Sequence, residues 1–95
     1  MAEDSHGGRA GVKIKIMPNS PEVDLVETEH KVKSIIVAEG GINNEYTIEP
    51  IAFGLKALIA FFQWPEEKDL EKVEEEIKAL DNIQSVQIID IRKIA

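Results

Sequence analysis

The chain has 95 residues, enough for one domain with a single modest core and too few for two. Hydrophobic residues make up 43% of it, which excludes a disordered chain, and the absence of cysteine excludes disulfides, thiolate metal sites and cysteine nucleophiles. The net charge of −7, from 18 acidic against 11 basic residues, argues against nucleic acid as the main partner, because phosphate backbones select a basic footprint.

Residues 1–10, "MAEDSHGGRA", are small and polar, and the expectation is a flexible tail followed by one domain over 11–95. They contain no apolar leader, and no apolar run approaches the roughly 20 residues needed to span a bilayer, so the expectation is a cytoplasmic protein with no membrane partner. "VKIKIM" then alternates, with Val12, Ile14 and Ile16 on one face and Lys13 and Lys15 on the other, which predicts a half-buried strand. Ser20, Pro21 and Glu22 have the pattern of a helix start: a capping hydroxyl, a proline in the first turn and an acid near the positive end of the dipole. Leu25, Val32 and Ile36 recur at helical spacing, with Ile35 and Val37 off that stripe, until Gly40 and Gly41 end the helix.

"NNEYTIEP" predicts a second strand, with Tyr46 and Ile48 on one face and Pro50 at its end. From Leu55 to Phe62 nearly every residue is apolar on both parities, as in a central strand flanked on each side, and Trp64–Pro65 is predicted to break it. Leu70, Val73, Ile77 and Leu80 mark a second helix, with acids in its first turn. Asp81–Asn82 close that helix, and "IQSVQIIDIRKI" predicts a last strand. The resulting β-α-β-β-α-β order, with right-handed crossovers and a hairpin joining strands two and three, predicts an α+β ferredoxin-like sandwich. Two helices would cover one face of a four-stranded antiparallel sheet ordered 4-1-3-2. The fold serves many functions and decides none.

Chemistry-bearing residues are sparse. His6 and His30 are far apart, with no further ligand at metal-site spacing, so the expectation is no metal and no cofactor. "GGRAG" lacks the lysine and hydroxyl of a phosphate loop and precedes a strand, so it is read as part of a flexible leader. Seven acids crowd residues 66–76, on a face expected to point to solvent. No group resembles a hydrolase or transferase centre, and the expectation is a recognition protein without covalent chemistry.

Two features remain, each with two readings. In "PIAFG", Phe53 either folds back over the core beside a positive-φ Gly54 or stands out as an aromatic anchor. In "DIRKIA", the cations are either the solubilising end of a strand or a cationic finger able to compete with a metal ion. The predicted topology sets these features at opposite ends of the sheet, roughly 20–25 Å apart for strands of about seven residues. They cannot form one active site, but they suit two contacts on a large partner. Two other classes share the fold: a ligand-binding or regulatory module, and an RNA-binding sheet using Lys13, Lys15 and Lys56, for which Tyr46 alone is a poor stacking platform.

"VKIKIMPNSPEVDL", "EPIAFGLKALI" and "VQIIDIRKI" resemble the archaeal translation elongation factor 1-beta family. More distantly they are similar to the exchange domain of the eukaryotic factor, which has a comparable proline-aromatic-glycine corner and a lysine near its chain end. The resemblance covers residues 11–95. It implies a guanine-nucleotide exchange factor that binds elongation factor 1-alpha, GDP-bound and nucleotide-free, and bridges two of its domains. By that resemblance Lys93, with Arg92 as the alternate, would displace Mg²⁺, and Pro50, Phe53, Gly54, Arg92 and Ile94 would bind the partner. An ammonium at the metal position repels the ion or replaces its charge without its coordination geometry, which loosens GDP. Such a factor must bind the nucleotide-free state better than the loaded one.

Overall fold

The structure, a computed structural model, describes residues 8–94. The elements run β1 (Arg9–Pro18), α1 (Leu25–Glu39), β2 (Ile42–Pro50), β3 (Lys56–Pro65), α2 (Glu71–Lys78) and β4 (Ile83–Lys93). The sheet order is β2-β3-β1-β4 with every pairing antiparallel, the predicted order read from its other edge. Strand β1 is central: Val12 pairs with Phe62 on one side and Ile91 on the other, and Ile16 pairs with Leu58 and Val86.

The alternation in β1 does what its pattern dictates. Val12, Ile14 and Ile16 are buried and join Leu58, Ala60, Phe62 and Trp64 of β3, Val32 and Ile36 of α1, and Val73 and Ile77 of α2 in one core. Ile14, Ile16, Ile36, Leu58 and Ile77 are among its wholly buried members. Burying one such side chain stabilises by roughly 1.5–3 kcal/mol, so this layer dominates the fold's stability. Ala57, Leu58, Ile59 and Ala60 are all buried, as expected of a strand flanked on both sides.

Three boundaries differ from expectation. Helix α1 starts at Leu25, capped by Asp24, whose Oδ1 accepts from the N–H groups of Val26 (3.0 Å) and Glu27 (3.4 Å). Ser20 instead closes a turn, its Oγ accepting from the N–H of Glu22 at 3.1 Å. Serine and aspartate cap equally well, and Pro21 suits a turn as readily as a first helical position. Trp64–Pro65 does not break β3: Trp64 pairs with Ala10, and Pro65 sits last, where its missing N–H costs nothing. The Trp64 indole N–H donates to the Lys68 carbonyl at 2.9 Å, and the ring is buried edge-on against Phe62. Strand β1 also begins before residue 11: Arg9 and Ala10 pair with Pro65 and Trp64, so this part of "GGRAG" is strand. The remainder of the expected tail, residues 1–7, lies outside the described residues, as does Ala95.

Gly40 ends α1 in the left-handed region at φ 111°, donating its N–H back to the carbonyl of Val37 at 3.1 Å. The Lys68 ammonium reaches the Glu39 carbonyl there, so the α1 terminus is tied to the loop after β3. Tyr46 packs partly buried against the core, its hydroxyl donating to Asn44 Oδ1 at 3.2 Å. Burial, with the Glu29 carboxylate second, pushes its phenol up from 10.0 to about 12. The folded value lies above the unfolded one, so stabilisation tied to the neutral phenol is complete below pH ~10 and is lost as pH rises toward about 12. Tyr46 is the chain's single tyrosine, so tyrosinate absorbance reports it alone. Its midpoint is expected near 12 in the native protein and near 10 in denaturant; equal midpoints would contradict its packing.

Candidate functional site

At the β2–β3 end, Pro50 pairs with Lys56 and closes a hairpin whose loop is residues 51–55. The Ile51 N–H donates to the Leu55 carbonyl at 2.8 Å, and the Leu55 N–H returns to the Ala52 carbonyl at 2.9 Å. Between them Phe53 and Gly54 have φ angles of 53° and 79°. Two successive positive φ values inside an i-to-i+3 hydrogen bond define a type I′ turn, the form that matches strand twist and favours Asn-Gly. Gly54 fits as predicted. Phe53 does not: a left-handed L-residue costs roughly 1–2 kcal/mol, and a bulky side chain there is an outlier.

Among the described residues nothing compensates that strain, because Phe53 is 98% exposed. The reading in which it folds back over the core is therefore excluded, and the aromatic ring stands in solvent. Beside the turn runs a groove of about 300 Å³ lined by Pro21, Val23, Val26, Ile48 and Gly54. Val26 and Ile48 are 62% and 49% exposed, so the ring rises from an apolar surround. Sequence reasoning missed this surround. Val26 lies off the Leu25–Val32–Ile36 stripe, which was the available signal.

At the opposite end, β4 carries a bulge. Lys13 pairs with Asp90 and Ile14 with Ile88, leaving Ile89 as the extra residue. A bulge shifts side-chain parity by one. After it, Ile91 and Lys93 stand opposite Val12 and Ala10 on the helix-covered face, whereas Asp90 and Arg92 stand opposite Lys13 and Gly11 on the open face. Arg92 and Lys93, alternates in the sequence, thus point to opposite sides. The Arg92 Nε donates to Asp90 Oδ2 at 2.9 Å. The Lys93 ammonium lies 3.3 Å from Glu66 Oε2. Ile94 remains tied to the sheet, its N–H donating to the Arg9 carbonyl at 2.9 Å, and its side chain lies against Gly11.

The open face at this end forms a groove of about 850 Å³ bordered by Lys13, Glu45, Phe61, Asp90, Arg92 and Ile94. Lys13 sits over the Phe61 ring at 5.1 Å, and charges of both signs line the groove. Lys56 lines the groove by the hairpin with Ile48 and Val26, apart from Lys13 and Lys15, so the three lysines of the RNA-binding reading do not share one face. His30 is exposed on α1, and His6 lies outside the described residues. Among the described residues no three metal-ligating side chains gather, and no helix is long and apolar enough to cross a membrane.

The register fixes how far apart the ends are. Ala10, opposite Lys93, and Ile16, opposite Leu58, lie six residues apart along β1, roughly 20 Å at ~3.3 Å per residue, and the hairpin tip lies beyond Leu58. The ferredoxin-like domain thus carries an exposed aromatic on a strained turn at one end and cations on a tethered strand at the other. Residues 11–94 match the family described as the EF-1 guanine nucleotide exchange domain. The chain is 40% identical to elongation factor 1-beta of Methanosarcina barkeri over 88 residues, covering 92% of this chain and 99% of that protein. It is 36% identical to elongation factor 1-beta of Pyrococcus abyssi over 83 residues, covering 85% and 90%. The C-terminal domain of the MgtC protein from Mycobacterium tuberculosis shares the fold alone, with a TM-score of 0.61 and 13% identity over 97% of this chain and 93% of that one. The chain belongs to the elongation factor 1-beta family of guanine nucleotide exchange factors. Its role lies in translation elongation, without covalent chemistry, and the family implies elongation factor 1-alpha as partner.

The turn geometry makes a prediction about stability. Phe53→Asn, which relieves the left-handed strain and removes no buried contact, is expected to stabilise the fold by about 1 kcal/mol. That corresponds to roughly 4–8 °C in thermal midpoint. An unchanged or lower midpoint would mean that the ring contributes to this chain's own stability.

Proposed function

We propose that this chain releases GDP from elongation factor 1-alpha by a two-point grip, with Lys93 displacing the nucleotide's Mg²⁺ and the Phe53 corner seated on a second domain. The observation that carries the reading is the strained and wholly exposed Phe53: a chain that holds an aromatic in an unfavourable conformation without burying it uses it elsewhere. Pro50 and Gly54 hold the turn in shape, and Val26 and Ile48 widen the apolar contact. Arg92 and Ile94 flank the finger at the other end.

Two facts favour Lys93 over Arg92 as the metal-displacing group. Arg92 is bonded along its own strand to Asp90 at 2.9 Å, whereas the Lys93 pair is longer, at 3.3 Å. A compact ammonium also stands in for a metal charge better than a planar guanidinium, whose geometry suits carboxylates and phosphates. The factor binds the GDP-loaded GTPase, holds its nucleotide-free state more tightly, and is displaced as GTP enters. The exchange domain spans residues 11–95, with Arg9 and Ala10 lengthening its first strand. The setting is cytoplasmic, with no direct contact to nucleic acid or membrane.

Release of a fluorescent GDP analogue from elongation factor 1-alpha tests the reading. Wild type is expected to accelerate release, with losses of roughly thirtyfold or more in Lys93→Ala and in Phe53→Ala, the scale of an interface hot spot. Arg92→Ala is expected to lose much less. No acceleration by well-folded wild type would overturn the mechanism, and a larger loss in Arg92→Ala would transfer the finger to that residue.

A further inference from the structure

The geometry points to Glu66 as a restraint on the Lys93 finger, holding its ammonium back against the protein until a partner's anionic site draws it away. This inference rests on the reading of Lys93 as the group aimed at the metal. Both backbones are fixed at the start of β1, one to Arg9 and the other to Gly8 just before it. The Glu66 N–H donates to the Gly8 carbonyl at 2.9 Å, and the Ile94 N–H, next to Lys93, donates to the Arg9 carbonyl at 2.9 Å. Only the two side chains are left to choose their conformations.

The direction of the contact is the decisive feature. Lys93 stands on β4 opposite Ala10, and Ala10 in turn stands opposite Trp64 of β3. Glu66 lies just past the end of β3, so the ammonium reaches its carboxylate by crossing β1 sideways, where Ala10 presents only a methyl group. A lysine in that conformation is folded along its own sheet instead of projecting past the chain end. Of the seven acids in residues 66–76, Glu66 is the one in contact with it.

The contact is poorly suited to a stabilising role. The Lys93 side chain is 77% exposed and that of Glu66 35%, and exposed pairs contribute little to folding. Its consequence falls on the ammonium itself. A carboxylate at 3.3 Å offsets part of the charge that a metal site would feel, and the pair must part before the lysine can replace an ion. Glu66 is thus a positioning residue, acting through Lys93.

The test is GDP-analogue release by wild type, Glu66→Gln, Glu66→Asp, Lys93→Ala and the Glu66→Gln/Lys93→Ala double variant, at low and raised ionic strength, after thermal melts establish that each is folded. Glu66→Gln is expected to accelerate release about two- to fivefold over wild type, the worth of an exposed ion pair. Glu66→Asp, which keeps the charge on a shorter side chain, is expected to fall between the two. The gain should shrink as salt rises and vanish in the Lys93→Ala background. Equal or slower release by Glu66→Gln, or a gain that survives without Lys93, would overturn the restraint, the latter by showing that Glu66 acts as general negative charge. Undiminished release by Lys93→Ala would overturn the finger itself, a result distinguishable from failure of the restraint alone.

Discussion

The ladder of β1 is the constraint on which the rest depends. Like β3 it is paired on both sides with strands of opposite direction, and its alternation of apolar and charged residues decides which face of its two neighbours meets the helices. Two register shifts interrupt its pairing with β4, one at Met17–Pro18 and one at the Ile89 bulge, and the second decides how the end of β4 is displayed. Without it, Asp90 and Arg92 would follow Val86 and Ile88 onto the helix-covered face, and Lys93 would turn to the open one. One extra residue therefore sets the face each cation takes, Lys93 on the side where it meets Glu66 and Arg92, together with Asp90, on the open side.

Phe53 inverts the usual relation between local preference and fold. Around α1 and β4 the chain obeys its local rules: Asp24 caps α1, Gly40 ends it in the left-handed region, and β-branched residues fill β4. At the turn an asparagine or glycine would serve the hairpin better, yet a phenylalanine stands there, unburied. A departure from local consistency that gains nothing within the molecule marks a position shaped by something outside it. The same argument does not reach Ile48 or Val26, whose exposure follows from lying at the margin of the helical cover; it is their adjacency to Phe53 that gives them meaning.

How much was legible in the sequence depended on how far each signal reached along the chain. Val12, Ile14 and Ile16 carry their strand in their own alternation, Val73 and Ile77 carry their helix in theirs, and the order of such elements with right-handed crossovers leaves few topologies. Features settled by a choice between local equals were harder. Ser20 and Asp24 are both good caps, and Trp64–Pro65 suits either a strand's end or its interruption, so those boundaries moved. At the candidate site, Gly54 announced a positive φ, but nothing announced that Phe53 would share it. The Ile89 bulge and the Glu66–Lys93 contact are products of register and of chain segments distant in sequence, which no periodicity encodes.

The sheet also accounts for why the two candidate contacts sit on a domain this small. Strand length, set by hydrogen-bonded pairs from Arg9–Pro65 to Ile16–Leu58, fixes the distance between the ends and cannot adjust without breaking the ladder. Adaptability is confined to the ends: a five-residue hairpin loop at one, a lysine side chain at the other. A partner whose two domains meet both ends must bring them to the spacing that this ladder imposes. Seven of the 18 acidic residues lie on α2 and its approach, a surface repulsive to an anionic nucleotide site. The apolar corner is indifferent to that charge, whereas the cations at the other end must act on an anionic target against the repulsive background of the rest of the chain.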